Sequence, residues 1–116
     1  MTDCIFCKII KGEIPSKKVF EDEGTIAFYD IAPKADVHVL ILPKRHISSL
    51  IEVGDDDREL MGELLLNVKK IAKKLTLDRS GYKVVINNGR GSGQIVFHLH
   101  FHLLGGWRDK GGGWKV

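Results

Sequence analysis

At 116 residues the chain has room for one hydrophobic core and little more, so a single domain over residues 1–116 is the expectation. Its 18 Lys and Arg against 15 Asp and Glu give a net charge of +3, and Lys8, Lys11, Lys17, Lys18, Lys34 and Lys44 are scattered. That is weak ground for a nucleic-acid partner, though compatible with a small anion. No stretch reaches the roughly 18 apolar residues of a membrane span, and the first ten residues lack a signal peptide's basic start, so no membrane partner and a reducing, cytoplasmic location are expected.

Asp3 is placed to cap a short helix from Cys4 to about Lys11, stopped by Gly12 with Pro15 beyond. Ile5, Phe6, Ile9 and Ile10 give it an apolar side, which is core or pocket wall. In a reducing compartment Cys4-x-x-Cys7 reads as a metal or redox pair rather than a disulfide. Lys18–Glu21 and Thr25–Asp30 are strand-like runs joined at Asp22-Glu23-Gly24, a hairpin turn. Val37–Leu42 is a buried strand with one polar residue, His38, and Pro43-Lys44-Arg45-His46 leads out of it.

A long helix begins near Asp55-Asp56-Asp57. Leu60, Leu64, Val68, Ile71 and Leu75 recur at spacings of three and four, Met61, Leu65 and Ala72 widen the stripe, and Lys69, Lys70, Lys73 and Lys74 form a solvated end. Gly81–Asn87 is a further strand, followed by the glycine-rich loop Asn88–Gln94. Trp107 and Trp114 stand in a glycine-rich tail too short for a core of its own. The order of elements gives an α+β protein with a mostly antiparallel sheet.

Residues 97–104 carry the chemistry. On a strand, successive side chains point to opposite faces, so His98, His100 and His102 go one way and Phe97, Leu99, Phe101 and Leu103 the other. A neutral imidazole can attack phosphorus, given a fixed tautomer, further groups to meet the phosphate charge, and backbone N–H groups to cradle oxygens. Asn87 to His102 supplies these residue types.

The run His98-Leu99-His100-Phe101-His102-Leu103-Leu104 is a full match to the pattern His-φ-His-φ-His-φ-φ, with φ apolar. Together with Cys4-Ile5-Phe6-Cys7-Lys8-Ile9-Ile10, Gly12-Glu13-Ile14-Pro15, Phe28-Tyr29-Asp30-Ile31, Pro43-Lys44-Arg45-His46-Ile47 and Gly93-Gln94, it resembles the histidine triad (HIT) family, in its nucleotide-binding Hint-like branch. The resemblance implies a HIT-like fold with a five-stranded sheet, one long and one short helix, and a homodimer. It implies hydrolysis or nucleotidyl transfer on purine nucleoside 5′-phosphoramidates, with purine nucleoside monophosphates as ligands.

By the same resemblance, His100 is the nucleophile, His102 binds phosphoryl oxygens and His38 is their buried partner. Asp30 takes the ribose hydroxyls, and Asn87 and Gln94 bond near the phosphate, with Gly93, Ile95 and Val96 beside them. Ile5, Phe6, Ile9, Ile14, Phe28 and Ile31 line the base pocket. Bacterial members with the Cys-x-x-Cys start bind zinc through positions matching Cys4, Cys7, His46 and His98, which implies a closed, structural site. Ile95 departs from the pattern, since this position is usually small and polar or acidic, and an apolar side chain can neither bond the phosphate nor assist the leaving group. Three alternatives stay open: a dinucleoside polyphosphate hydrolase, a nucleotide-binding regulatory protein with little turnover, and a zinc hydrolase using all three triad histidines. The last is strained on a straight strand, where the outer pair stand roughly 13 Å apart.

Overall fold

The computed structural model describes residues 3–107, so Trp114 and the glycine-rich stretch 109–113 lie outside them. The elements run α1 (Ile5–Ile10), β1 (Lys18–Glu21), β2 (Thr25–Tyr29), β3 (Val37–Pro43), α2 (Arg58–Lys74), β4 (Tyr82–Ile86) and β5 (Phe101–Gly105). The five strands form one antiparallel sheet in the order β1-β2-β3-β5-β4.

Alternation along the strands divides the interior in two. Ala27, Val39, Ile41, Phe101 and Leu103 face α2 and pack with its Leu64, Val68, Ile71 and Ala72. Ile26, Phe28, Leu40 and Leu42 face the other way and pack with Phe6 of α1. One helix therefore covers each face, and the long one covers the larger core. Polar Asn67 of α2 is also fully buried, donating to Thr25 Oγ1 at 3.0 Å and to Asp22 Oδ2 at 3.2 Å, which ties α2 to the β1–β2 hairpin.

Several expected details differ. The histidine strand begins at Phe101 rather than Phe97: Phe101 pairs with Ile41 of β3 and with Ile86, the last residue of β4, and β3 runs on to Pro43 paired with β2 alone. Leu99 still enters the α2 core, and its N–H donates to the Ile47 carbonyl at 2.6 Å, but Phe97 is 42% exposed and no part of the apolar face. Leu65 is 55% exposed, beyond the edge of the buried stripe of α2. Asp3 does not cap α1: the cap is Cys4, whose Sγ accepts from the Cys7 N–H at 3.3 Å. The cysteine pair thus starts the helix that carries it.

Candidate active site

Two groups of side chains meet on the α1 side of the sheet. One joins His38, His100 and His102. His38 lies on β3 beside β5, and its Nδ1 accepts the backbone N–H of Lys34 at 3.0 Å. A backbone amide only donates, so the proton of neutral His38 sits on Nε2, which faces His102 Nδ1 at 2.9 Å. His102 must then accept at Nδ1 and carry its own proton on Nε2. That Nε2 is buried and lacks a hydrogen-bond partner among the described residues, and His102 lines the neighbouring cavity. A buried donor left open in this way is costly unless a ligand completes it.

His100 is set by the same logic with the opposite outcome. Its Nδ1 lies 2.6 Å from the His98 carbonyl, which can only accept, so Nδ1 holds the proton and Nε2 keeps its lone pair. The His100 ring stands 4.9 Å from that of His102 and meets the edge of Phe6 at 5.1 Å. Adjacent imidazoles therefore offer one lone pair and one N–H donor.

Burial keeps these rings neutral. Desolvation lowers the pKa of His100 despite the His98 carbonyl and the Asp30 charge. It lowers that of His38 against the pull of Asp30, whose Oδ2 stands 3.5 Å from Nε2. Desolvation, then the neighbouring His100 and His38, push His102 down to about 4.

Beside this group is a cavity of about 790 Å³, within the range for small-molecule sites. Ile5, Phe6, Ile9, Phe28 and Ile31 give it an apolar wall; Asp30, His38, Asn87, His100 and His102 give it a polar one, and Gly93, Gln94, Ile95 and Val96 also line it. Ile31 is fully exposed and Ile95 is 88% exposed.

The second group is Cys4, Cys7, His46 and His98, whose ligand atoms all lie within 4.8 Å of one another. His98 Nδ1 is 3.4 Å from Cys4 Sγ and 3.6 Å from Cys7 Sγ, and His46 Nδ1 is 3.4 Å from Cys7 Sγ. Tetrahedral zinc with ordinary Zn–S and Zn–N bonds sets S···N separations of about 3.5 Å, so the spacing fits. His98 Nε2 donates to the Pro43 carbonyl at 2.8 Å, which directs the Nδ1 lone pair at the sulfurs, as in metal-ligating histidines with an outer partner. Burial, then the adjacent Cys4, push the Cys7 thiol up. A cation among the four donors reverses that penalty. The donor set and its spacing therefore suit a metal ion.

A model of the HIT domain matches residues 11–109. The chain belongs to the HIT domain family. It is 50% identical over 107 residues to adenosine 5′-monophosphoramidase HNT1 of Candida albicans, covering 87% of this chain and 68% of that protein. A HIT family hydrolase from Legionella pneumophila Philadelphia 1 matches in structure with a TM-score of 0.90 at 47% identity, over 95% of this chain and 98% of that one. A HIT family hydrolase from Clostridium thermocellum matches with a TM-score of 0.93 at 43% identity, over 100% and 98%.

Within this HIT chain the triad histidines do not share one centre. His98 turns to the thiols, whereas His100 and His102 face the cavity, an arrangement at odds with a single metal bound by all three. Asp30 lines the cavity, with Oδ1 accepting the Ala32 N–H at 2.8 Å. Gln94 differs from the expectation of a phosphate contact: its Nε2 donates to the carbonyls of Ser48 at 2.7 Å and Val96 at 3.0 Å, and its Oε1 accepts from Gly89 N–H at 2.8 Å. It braces the glycine loop, whose Gly89 and Gly93 take positive φ of 90° and 96°.

Ile14 is not in the cavity lining. It follows the turn made by Gly12 at a φ of 80°, and the wall there is Pro15, Ser16 and Lys17. The groups missed from sequence are mainly backbone atoms: the Lys34 N–H, the Pro43 carbonyl and the Ser48 carbonyl.

Neutral rings set a pH dependence. Burial, chiefly, also pushes His98 down to about 4, so between 4 and the ordinary 6.5 the folded chain binds fewer protons at His98 and His102 than the unfolded chain does. This contribution is complete above 6.5 and is lost as pH falls toward 4. Thermal melts of the metal-stripped protein should show Tm falling through that window. A Tm that rises between pH 7 and 5 contradicts the assignment.

Proposed function

We propose that the chain hydrolyses purine nucleoside 5′-phosphoramidates through a nucleotidyl-histidine intermediate at His100. The observation that carries this reading is the pair of fixed tautomers: a lone pair at His100 Nε2 beside a buried N–H at His102 Nε2 with no partner among the described residues, both residues lining one cavity. His100 Nε2 attacks the α-phosphorus, forming a P–N bond as the bond to the leaving amine breaks. His102 Nε2–H bonds the phosphoryl oxygen as its charge grows. Water then attacks the same phosphorus, the bond to Nε2 breaks, and the nucleoside monophosphate leaves. The apolar wall of Phe6, Ile9, Phe28 and Ile31 receives the base, and Asp30 the ribose hydroxyls. Ile95 offers no hydrogen bond, so the amine leaves with a proton it carries or takes from water or His102.

The same reading includes a closed zinc site at Cys4, Cys7, His46 and His98, supported by donor type and spacing, which holds structure while His100 performs the chemistry. It also includes a homodimer, supported by the exposed apolar residues Tyr82 and Val84 on edge strand β4 and Leu65 and Leu66 on α2.

The test is steady-state hydrolysis of adenosine 5′-phosphoramidate beside a dinucleoside tetraphosphate. Release of adenosine monophosphate and ammonia, with kcat/KM at least about ten-fold above that for the tetraphosphate, is the expected result. Preference for the tetraphosphate moves the assignment to polyphosphate hydrolysis. Binding of the monophosphate with no turnover of either compound moves it to a regulatory binder.

A further inference from the structure

We propose that the thiol–imidazole cluster and the nucleotide cavity are thermodynamically coupled, so that a metal ion held by Cys4, Cys7, His46 and His98 tightens nucleoside monophosphate binding and the nucleotide tightens metal binding by the same factor. The proposal rests on the two site readings above and adds a link that neither contains.

Two physical connections carry it. The first is α1. This helix has only six residues, too few to be stable alone, and Phe6 is its one buried side chain. Cys4 and Cys7 of this segment face His46 and His98, while Ile5, Phe6 and Ile9 face the cavity. Whatever fixes the thiols fixes the wall against which a base packs.

The second connection is His98. Its side chain is held among the thiols and the Pro43 carbonyl, and its own carbonyl is the acceptor that orients His100 at 2.6 Å. The Phe6 ring meets both imidazoles edge-on, at 6.0 Å from His98 and 5.1 Å from His100. A shift of His98 or of α1 therefore moves the nucleophile and the base wall together.

Thiol–imidazole contacts at 3.4 to 3.6 Å are weak hydrogen bonds, so without a cation the thiols add little to the hold that Phe6 packing and the His98–Pro43 bond give this edge. Either ligand that orders the segment relieves the second of that entropic cost. Linkage requires the two effects to be equal. The sheet and α2 form a core without α1 residues, so the coupling acts on the site and leaves the larger core in place.

The experiment closes a thermodynamic box. Affinity for adenosine monophosphate is measured by calorimetry on zinc-loaded protein and on protein stripped with a chelator under reducing conditions. Zinc affinity is measured by competition with a chromophoric chelator, with and without saturating nucleotide; this half starts from loaded protein and stands even where stripped protein is unstable. Both factors are expected to be about ten-fold. In a Phe6→Leu variant, zinc should still bind and both factors should fall toward one. If both ligands bind and neither affects the other by more than two-fold, the coupling is wrong while both site readings survive. Failure of zinc to bind at all overturns the metal reading and the coupling with it; failure of the nucleotide to bind either form does the same through the nucleotide reading.

Discussion

Replacing His100 with alanine is expected to lower kcat on adenosine 5′-phosphoramidate by about 10⁴-fold or more, with nucleotide affinity changed far less. The asymmetry follows from where the ring sits. His100 is only 8% exposed, its Nδ1 is tied to the His98 carbonyl, and the remaining Nε2 is the atom available to phosphorus. The variant loses that atom and keeps the apolar wall and Asp30, to which the proposed function gives the parts of the ligand that do not react. His102 offers no substitute nucleophile, because its Nδ1 is occupied by His38 and its Nε2 carries the proton. Activity of His100→Ala within ten-fold of the parent contradicts the nucleophile assignment.

His102→Ala is expected to lower kcat by about 10² to 10³-fold, the usual result of removing one donor aimed at developing charge. Here the donor is the buried Nε2–H that lacks a protein partner among the described residues. Its tautomer is imposed from a distance, through His38, by the Lys34 amide. The substitution also takes the nearer acceptor from the His38 Nε2–H and leaves it Asp30 Oδ2 at 3.5 Å, which should cost about 1 kcal/mol of stability. His102→Gln, which supplies an amide N–H at the end of a longer side chain, should recover part of kcat. Equal losses in kcat for both variants, at equal Tm, contradict a donor role for Nε2.

Much of this was legible in the chain because two periodicities are strong. Val37–Leu42 is a continuous apolar run and the histidines obey the period of two, and β3 and β5 carry them as adjacent strands that bring His38 to His102. Leu64, Val68, Ile71 and Ala72 obey the helical period and form the core of α2. Hidden features arise from tertiary contact. Where β5 begins depends on pairing with β3 and β4, which reaches Phe101 and goes no further, so Phe97 is exposed although its alternation is perfect. Asn67 is buried because Thr25 and Asp22 meet it from 42 and 45 residues away.

The candidate site divides the same way. Residue type and spacing point to the alternating histidines and the Cys4–Cys7 pair, the family resemblance adds His38, Asp30 and His46, and the fold brings these together in two groups. The tautomers on which the chemistry turns are set by carbonyl and amide groups, which every residue carries and which sequence cannot distinguish. Gln94 shows the converse: a polar side chain beside the site can be committed to backbone groups, those of its own loop and the Ser48 carbonyl.

The most direct test is intact mass spectrometry of the protein quenched in mild base soon after mixing with adenosine 5′-phosphoramidate, beside His100→Ala, because acid cleaves a phosphorus–nitrogen bond. One adenylyl group on the parent chain, absent from the variant and lost as adenosine monophosphate accumulates, is the predicted result. Turnover with no adduct at any quench time, or an adduct that persists in His100→Ala, contradicts covalent catalysis at this histidine.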